Sequence, residues 1–177
     1  VIADLLASRI RDVPDYPKPG IVFKDITPLL ADPKAFRAMT AEFVRLARDI
    51  GATKVVGLEA RGFILAAPVA VEAEIGFIPV RKAGKLPGAV YAVSYELEYG
   101  EATIEVHQDS FEPGDRVLVV DDVLATGGTA AAAVEAIRAC GAEPAAVAVL
   151  LELTFLSGRA RLAQAAPDVP VNTLLTV

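Results

Sequence analysis

Residues 116–129, RVLVVDDVLATGGT, constrain this chain more than any other stretch. The apolar run Val117, Leu118, Val119, Val120 gives a buried strand, two adjacent carboxylates follow, and a loop of small residues runs straight into an alanine-rich helical pattern. That order places Asp121 and Asp122 at the carboxyl edge of a parallel sheet, where open α/β folds hold their ligands. The first amides of the following helix lack intrahelical partners and the macrodipole adds roughly half a positive charge there, so the junction attracts an anion. Ala125, Gly127 and Gly128 leave little side chain to hold a phosphate off the backbone, and Thr126 and Thr129 add hydroxyl donors. The paired acids would repel the phosphate itself, so they face sugar hydroxyls or a divalent metal. A ribose 5-phosphate satisfies both halves. The competing reading is a structural turn, since the spacing is neither the dinucleotide-binding GxGxxG nor a Walker A loop.

Elsewhere, strands alternate with helices. Asp32-Pro33 caps a helix that carries Phe36, Met39, Phe43, Leu46 and Ile50 at helical spacing, a stripe expected to pack on a sheet, and Gly51 stops it. KVVGL (54–58) is a buried strand that turns at Glu59-Ala60-Arg61-Gly62 into a helix reaching about Ile75, with Pro68 expected to kink it or delay its start. FIPV follows, and then RKAGKLPG (81–88), which concentrates three cations among turn formers. Residues 89–99 and 102–107 alternate as an antiparallel ribbon, and later segments give a helix over 127–140, a buried strand AAVAVLLEL, a short helix SGRARLAQ and a closing strand VNTLLTV. The pattern predicts an α/β fold with a mostly parallel sheet wrapped on both faces by right-handed crossovers. At the N-terminus, a short helix over 2–10 gives way to an irregular segment forced by Pro14, Pro17, Pro19 and Gly20.

With 177 residues the expectation is one domain, residues 1–177. No apolar stretch is long enough to span a bilayer and the first residues do not resemble a signal peptide, so a cytoplasmic protein is expected. A net charge of −6 argues against a nucleic-acid surface. The single Cys140 reads as a packed thiol and the single His107 as structural. Arg61 stands at a strand-to-helix junction where a guanidinium can grip a phosphate or be merely solvated, and Phe23 is either a core anchor or a flat surface for an aromatic ligand, with spacing favouring the core.

The run of four apolar residues, paired acids and Thr-Gly-Gly-Thr resembles the signature of the type I phosphoribosyltransferases. The likeness extends over most of the chain through PKPGIVFKDITPLL (17–30), GLEARGF (57–63), RKAGKLPG, SYELEYG (94–100) and VVDDVLATGGT (119–129), and narrows to the adenine-using members. It implies a single-domain phosphoribosyltransferase-like fold: a mostly parallel twisted sheet flanked by helices, a flexible antiparallel ribbon over the active site and a small N-terminal hood. It further implies that adenine and 5-phospho-α-D-ribose 1-diphosphate give AMP and pyrophosphate, with Mg²⁺ carried mainly by the substrate rather than by a protein metal site.

Residue by residue, the resemblance puts the ribose and its 5′-phosphate on Asp121, Asp122 and Ala125, Thr126, Gly127, Gly128, Thr129. Pyrophosphate falls to Arg61, Arg81, Lys82 and Lys85, some of them serving the neighbouring subunit of a homodimer. Adenine falls to Val22, Phe23 and Lys24, with Phe23 stacking on one face, backbone groups beside it reading the purine edge, and Val123 covering the other face. Glu98, with Tyr99, lies on the closing loop and is implied to be the general acid or base at N7 or N9. Ala83 departs from relatives that carry a further basic residue there. The rival readings are a transferase for xanthine or hypoxanthine, against which PGIVFKDI speaks, and a nucleic-acid-binding regulator that has kept only the sugar-phosphate site, against which the acidic balance speaks.

Overall fold

Each strand-to-helix junction expected around residues 54–62, 117–127 and 145–157 is present in the computed structural model, which describes residues 1–97 and 99–177. The chain divides into two compact units, Val1–Glu42 and Phe43–Val177.

The first unit contains α1 (Ile2–Ala7), β1 (Arg11–Pro14), β2 (Val22–Asp25), α2 (Thr27–Ala31) and the start of α3 (Pro33–Asp49), whose length carries it across the boundary. The proline-rich segment 15–21 is irregular as expected, but the residues on either side of it pair, β1 running antiparallel to β2 with Val13 opposite Phe23 and Asp12 opposite Lys24. Charge holds this short ladder: Arg11 Nη2 donates to Asp25 Oδ2 at 2.6 Å and Lys24 Nζ to Asp12 Oδ1 at 2.7 Å. The expected cap on α3 is present, with Asp32 Oδ1 accepting from the amides of Lys34 and Ala35 at 2.9 and 3.2 Å. The buried face of α3 is centred on Ala35, Met39, Phe43 and Ala47, an i, i+4 row. Phe36 and Leu46 lie half-buried at its margin.

The second unit is built on a seven-stranded sheet. In chain order it holds β3 (Lys54–Leu58), α4 (Arg61–Ala73), β4 (Gly76–Lys82), β5 (Val90–Glu96), β6 (Glu101–His107), β7 (Arg116–Leu124), α5 (Gly128–Ala139), β8 (Glu143–Glu152), a 3₁₀ turn, α6 (Gly158–Ala165) and β9 (Val171–Thr176). The strand order is β5-β6-β4-β3-β7-β8-β9, with β4, β3, β7, β8 and β9 parallel and the β5–β6 ribbon antiparallel. The central strands β3, β7 and β8 are largely apolar because both of their faces are covered. Val56, Leu58, Val117, Val119, Val147 and Val149 share one core with Ala133, Val134 and Ile137 of α5. Their neighbours Val55, Leu118, Val120, Ala146 and Ala148 are equally buried, and Gly57 lies against Ala66 of α4.

Three boundaries differ from the sequence expectation. β7 continues through Asp121 and Asp122 to Leu124 because β8 offers a ladder partner that far. β4 takes in Arg81 and Lys82, since β6 pairs with them at Glu105 and Ile104. α1 ends at Ala7, short of the expected residue 10, and Pro68 sits inside α4, which starts at Arg61 without delay. The ribbon's base thereby joins the sheet edge, and its apolar side, Val93, Ile104 and Val106, enters the α5 core. No helix among the described residues is long and apolar enough to cross a membrane.

Candidate active site

The chain leaves β3 toward β4 on one side and later returns to lay β7 on the other, so β3 and β7 flank the topological switch point where open α/β sheets bind ligands. Gly57 of β3 pairs with Val120 of β7, which sets Glu59 and Arg61 beside Asp121 and Asp122. Close approach here depends on Gly62: a Cβ on it would stand 2.9 Å from Asp121 Oδ1 and 3.0 Å from the Val120 carbonyl. With that approach made, Arg61 Nε donates to Asp122 Oδ2 across the switch point. Asp122 is 4% exposed, while Asp121 turns to a cavity and accepts from the Asp122 amide at 2.9 Å. Burial first, and then the charge of Asp122, push the Asp121 carboxyl well above the ordinary range, with Arg61 opposing only in part. A cation or a set of hydroxyl donors would relieve that strain.

The cavity, about 70 Å³, is lined by Asp121, Val123 and the loop from Leu124 through Thr129 to Ala130. Gly127 is left-handed at φ +85° and is the N-cap of α5, so no side chain closes the first turn, whose amides have no intrahelical partner. All five loop residues named from the sequence, Ala125 to Thr129, line this one cavity. The Thr129 hydroxyl also meets the Tyr95 hydroxyl of the ribbon at 2.9 Å, a contact that alternating strand residues did not announce.

The basic segment converges on a residue that sequence reasoning passed over as part of a turn. Glu59 accepts from Arg81 Nη2 at 2.7 Å and Nε at 3.2 Å, from the Lys82 amide at 2.8 Å and from Lys85 Nζ at 2.9 Å. Burial pushes its carboxyl up, but the Lys82 amide, Lys85 and Arg81 outweigh it and hold it at about 2. Arg81 also lies over the Phe63 ring, 5.9 Å from its centroid. Arg61, Arg81 and Lys85 are thus each paired with a carboxylate, and the Lys82 side chain is exposed. The only signal in the sequence was position: an acid two residues before Arg61 at the end of a buried strand.

In the first unit, Phe23 is half-buried with the Tyr16 ring edge-on at 5.3 Å, Val22 is 50% exposed, and Lys24 is tied to Asp12. Phe23 is therefore not sealed in a core. Glu98 lies outside the described residues, and Tyr99 is 81% exposed. His107 Nε2 meets the Pro87 carbonyl at 2.8 Å, and Cys140 is half-buried, its thiol pushed up by burial.

Comparison with known proteins agrees with this geometry. Residues 26–170 match the phosphoribosyl transferase domain family. The adenine phosphoribosyltransferase of Streptomyces coelicolor is 67% identical over 176 residues, covering 99% of this chain and 97% of that protein. The crystal structure of adenine phosphoribosyltransferase from Rhodothermus marinus superposes with a TM-score of 0.92 at 49% identity, covering 99% of this chain and 98% of the other. That of the Saccharomyces cerevisiae enzyme, complexed with an imino-altritol bisphosphate and adenine, gives 0.91 at 37% identity with 98% of each chain covered. A mostly parallel sheet with paired acids beside a small-residue loop that lines a cavity at its switch point, together with these matches, defines a phosphoribosyltransferase. Within that class the chain belongs to the adenine phosphoribosyltransferases, the purine-salvage enzymes that convert adenine and phosphoribosyl pyrophosphate to AMP and pyrophosphate.

Proposed function

We propose that this chain carries out the transfer with the 5′-phosphate of phosphoribosyl pyrophosphate on the backbone of residues 125–129, the ribose hydroxyls against Asp121 and Asp122, and the pyrophosphate on Arg61, Arg81, Lys82 and Lys85. The observation that carries this reading is the cavity at the start of α5, where the loop and Asp121 share one lining. Adenine is assigned to Val22, Phe23, Lys24 and Val123, and the adenine bound by the yeast relative supports a site of that kind in the family.

The chemistry is displacement at C1′: the bond to pyrophosphate breaks with its electron pair leaving on oxygen, and a ring nitrogen of adenine forms the new bond through an oxocarbenium-like transition state. Such a step needs the leaving charge neutralised, the partners aligned and water excluded. Arg61 leans on Asp122, and Arg81 and Lys85 on Glu59. A polyanion draws these cations from the single carboxylates, Asp122 and Glu59, that already hold them near the site, so little reorganisation accompanies binding. Glu98, with Tyr99 beside it, exchanges the proton at N7 or N9.

Mg²⁺ fits the donor set, because Asp121 lines the cavity half-buried beside Asp122 and paired hard oxygen donors suit a divalent cation. Asp121 and Asp122 would hold it through the ribose hydroxyls, with most ligands from the substrate, and when bound it supplies charge neutralisation at the pyrophosphate. The chain is further assigned one functional domain, since the family match crosses the boundary between its two units, and a cytoplasmic homodimer in which part of segment 81–88 serves the neighbouring subunit.

Turnover of two variants tests the assignment. Glu98→Gln is expected to lower kcat by about 10²- to 10⁴-fold with KM for both substrates little changed. Asp122→Asn, which removes the charge that pairs with Arg61 and turns one of two acceptor oxygens into a donor, is expected to raise KM for phosphoribosyl pyrophosphate and lower kcat/KM by about 10²-fold. If both variants match the parent, the residue assignment is wrong.

A further inference from the structure

A loop made of small residues has little side chain of its own to hold it in shape beyond the Thr129 contact with Tyr95, yet anion-binding amides act only when fixed in place. Behind Ala125–Thr129 lies a segment from another part of the chain. Gly158, the first residue of α6, is buried against it backbone to backbone. A Cβ on Gly158 would stand 2.3 Å from the Ala125 carbonyl oxygen, 3.1 Å from the Gly127 amide nitrogen and 3.1 Å from Leu124 Cδ1. The contact is reciprocal, since a Cβ on Gly127 would stand 2.6 Å from the Gly158 carbonyl oxygen and 3.1 Å from its Cα.

The next residue fastens this segment to the sheet. Arg159 closes a fork on the buried Glu152 carboxylate at the end of β8, with Nε at 3.0 Å and Nη2 at 2.7 Å, and its Nη1 donates to the Val171 carbonyl of β9 at 2.9 Å. The Leu153 amide donates to the Leu124 carbonyl at 3.0 Å, tying the same segment to the strand that feeds the loop.

We propose that Gly158 is a positioning residue for the 5′-phosphate loop: its bare Cα is the surface against which Ala125 and Gly127 are set, and the Arg159–Glu152 fork fixes that surface to the sheet. The inference rests on the reading that residues 125–129 hold the 5′-phosphate. A methyl group at 158 meets backbone atoms, which cannot swing aside as a side chain would. The loop has to shift, and misplacement of this order weakens a preorganised site. Affinity for the sugar phosphate therefore falls while affinity for pyrophosphate, held by other residues, does not.

Calorimetric titration of Gly158→Ala with ribose 5-phosphate and, separately, with pyrophosphate and Mg²⁺ tests this. The expected result is about tenfold weaker ribose 5-phosphate binding and unchanged pyrophosphate binding. A uniform loss of both, or of neither, overturns the proposal. Should Gly158→Ala fail to fold, Arg159→Gln adds no atom behind the loop, and about threefold weaker ribose 5-phosphate alone is expected; unchanged affinity overturns the proposal. The double variant Thr126→Ala with Thr129→Ala separates the two readings. If it weakens ribose 5-phosphate and Gly158→Ala does not, the buttress is wrong and the loop assignment stands. If neither changes, both are wrong.

Discussion

Glu59 joins three of the four cationic positions assigned to pyrophosphate into one cluster, through two side chains and the Lys82 amide. Its carboxyl is held at about 2 in the folded protein against an ordinary 4.5. Because the folded value is the lower one, its contribution to stability is complete above about pH 4.5 and is lost as pH falls toward 2. Glu59→Gln is accordingly expected to be less stable than the parent to urea near neutrality, with the gap narrowing as the pH of the denaturation series is lowered; a gap that stays constant with pH would contradict the clamp. Asp121 and Asp122 were legible in the sequence because two adjacent acids after an apolar run are unusual and end where the chemistry is expected. Glu59 was not, since one acid in a turn is the common surface pattern and its partners lie more than twenty residues away.

The approach of α4 to β7 at Gly62 sets the distance between Arg61 and Asp122. Gly62→Ala places a methyl group against Asp121 Oδ1 and the Val120 carbonyl, and overpacking of this kind costs about 1–3 kcal/mol. Urea denaturation should show that loss together with reduced turnover; parent-like stability would mean that the two elements separate easily and do not fix the site. Apolar strands and capped helices could be read from the sequence because burial on both faces and the Asp32 cap leave a pattern in residue types. The β1–β2 ladder left none. It has no fully buried residue and is held by Arg11–Asp25 and Lys24–Asp12, pairs that a prolines-and-charges segment conceals. The Gly158 contact was equally hidden, since backbone against backbone carries no periodicity.

Across the whole molecule, the alternation of strands and helices already implied the parallel sheet, and with it a ligand site at the switch point. Pairing of the ribbon with β4 was not implied, because edge pairing depends on which amides remain unsatisfied once the sheet has formed. A single functional domain is expected to unfold in one cooperative calorimetric transition, with agreement between calorimetric and van't Hoff enthalpies. Two resolved transitions would mean that residues 1–42 and 43–177 fold independently. The central claim concerns the amides at the start of α5, and a crystal of this protein grown with AMP examines it directly. The account predicts the AMP phosphate within hydrogen-bonding distance of the backbone nitrogens between Ala125 and Thr129, with ribose hydroxyls toward Asp121 and Asp122. A phosphate bound at any other element would contradict it.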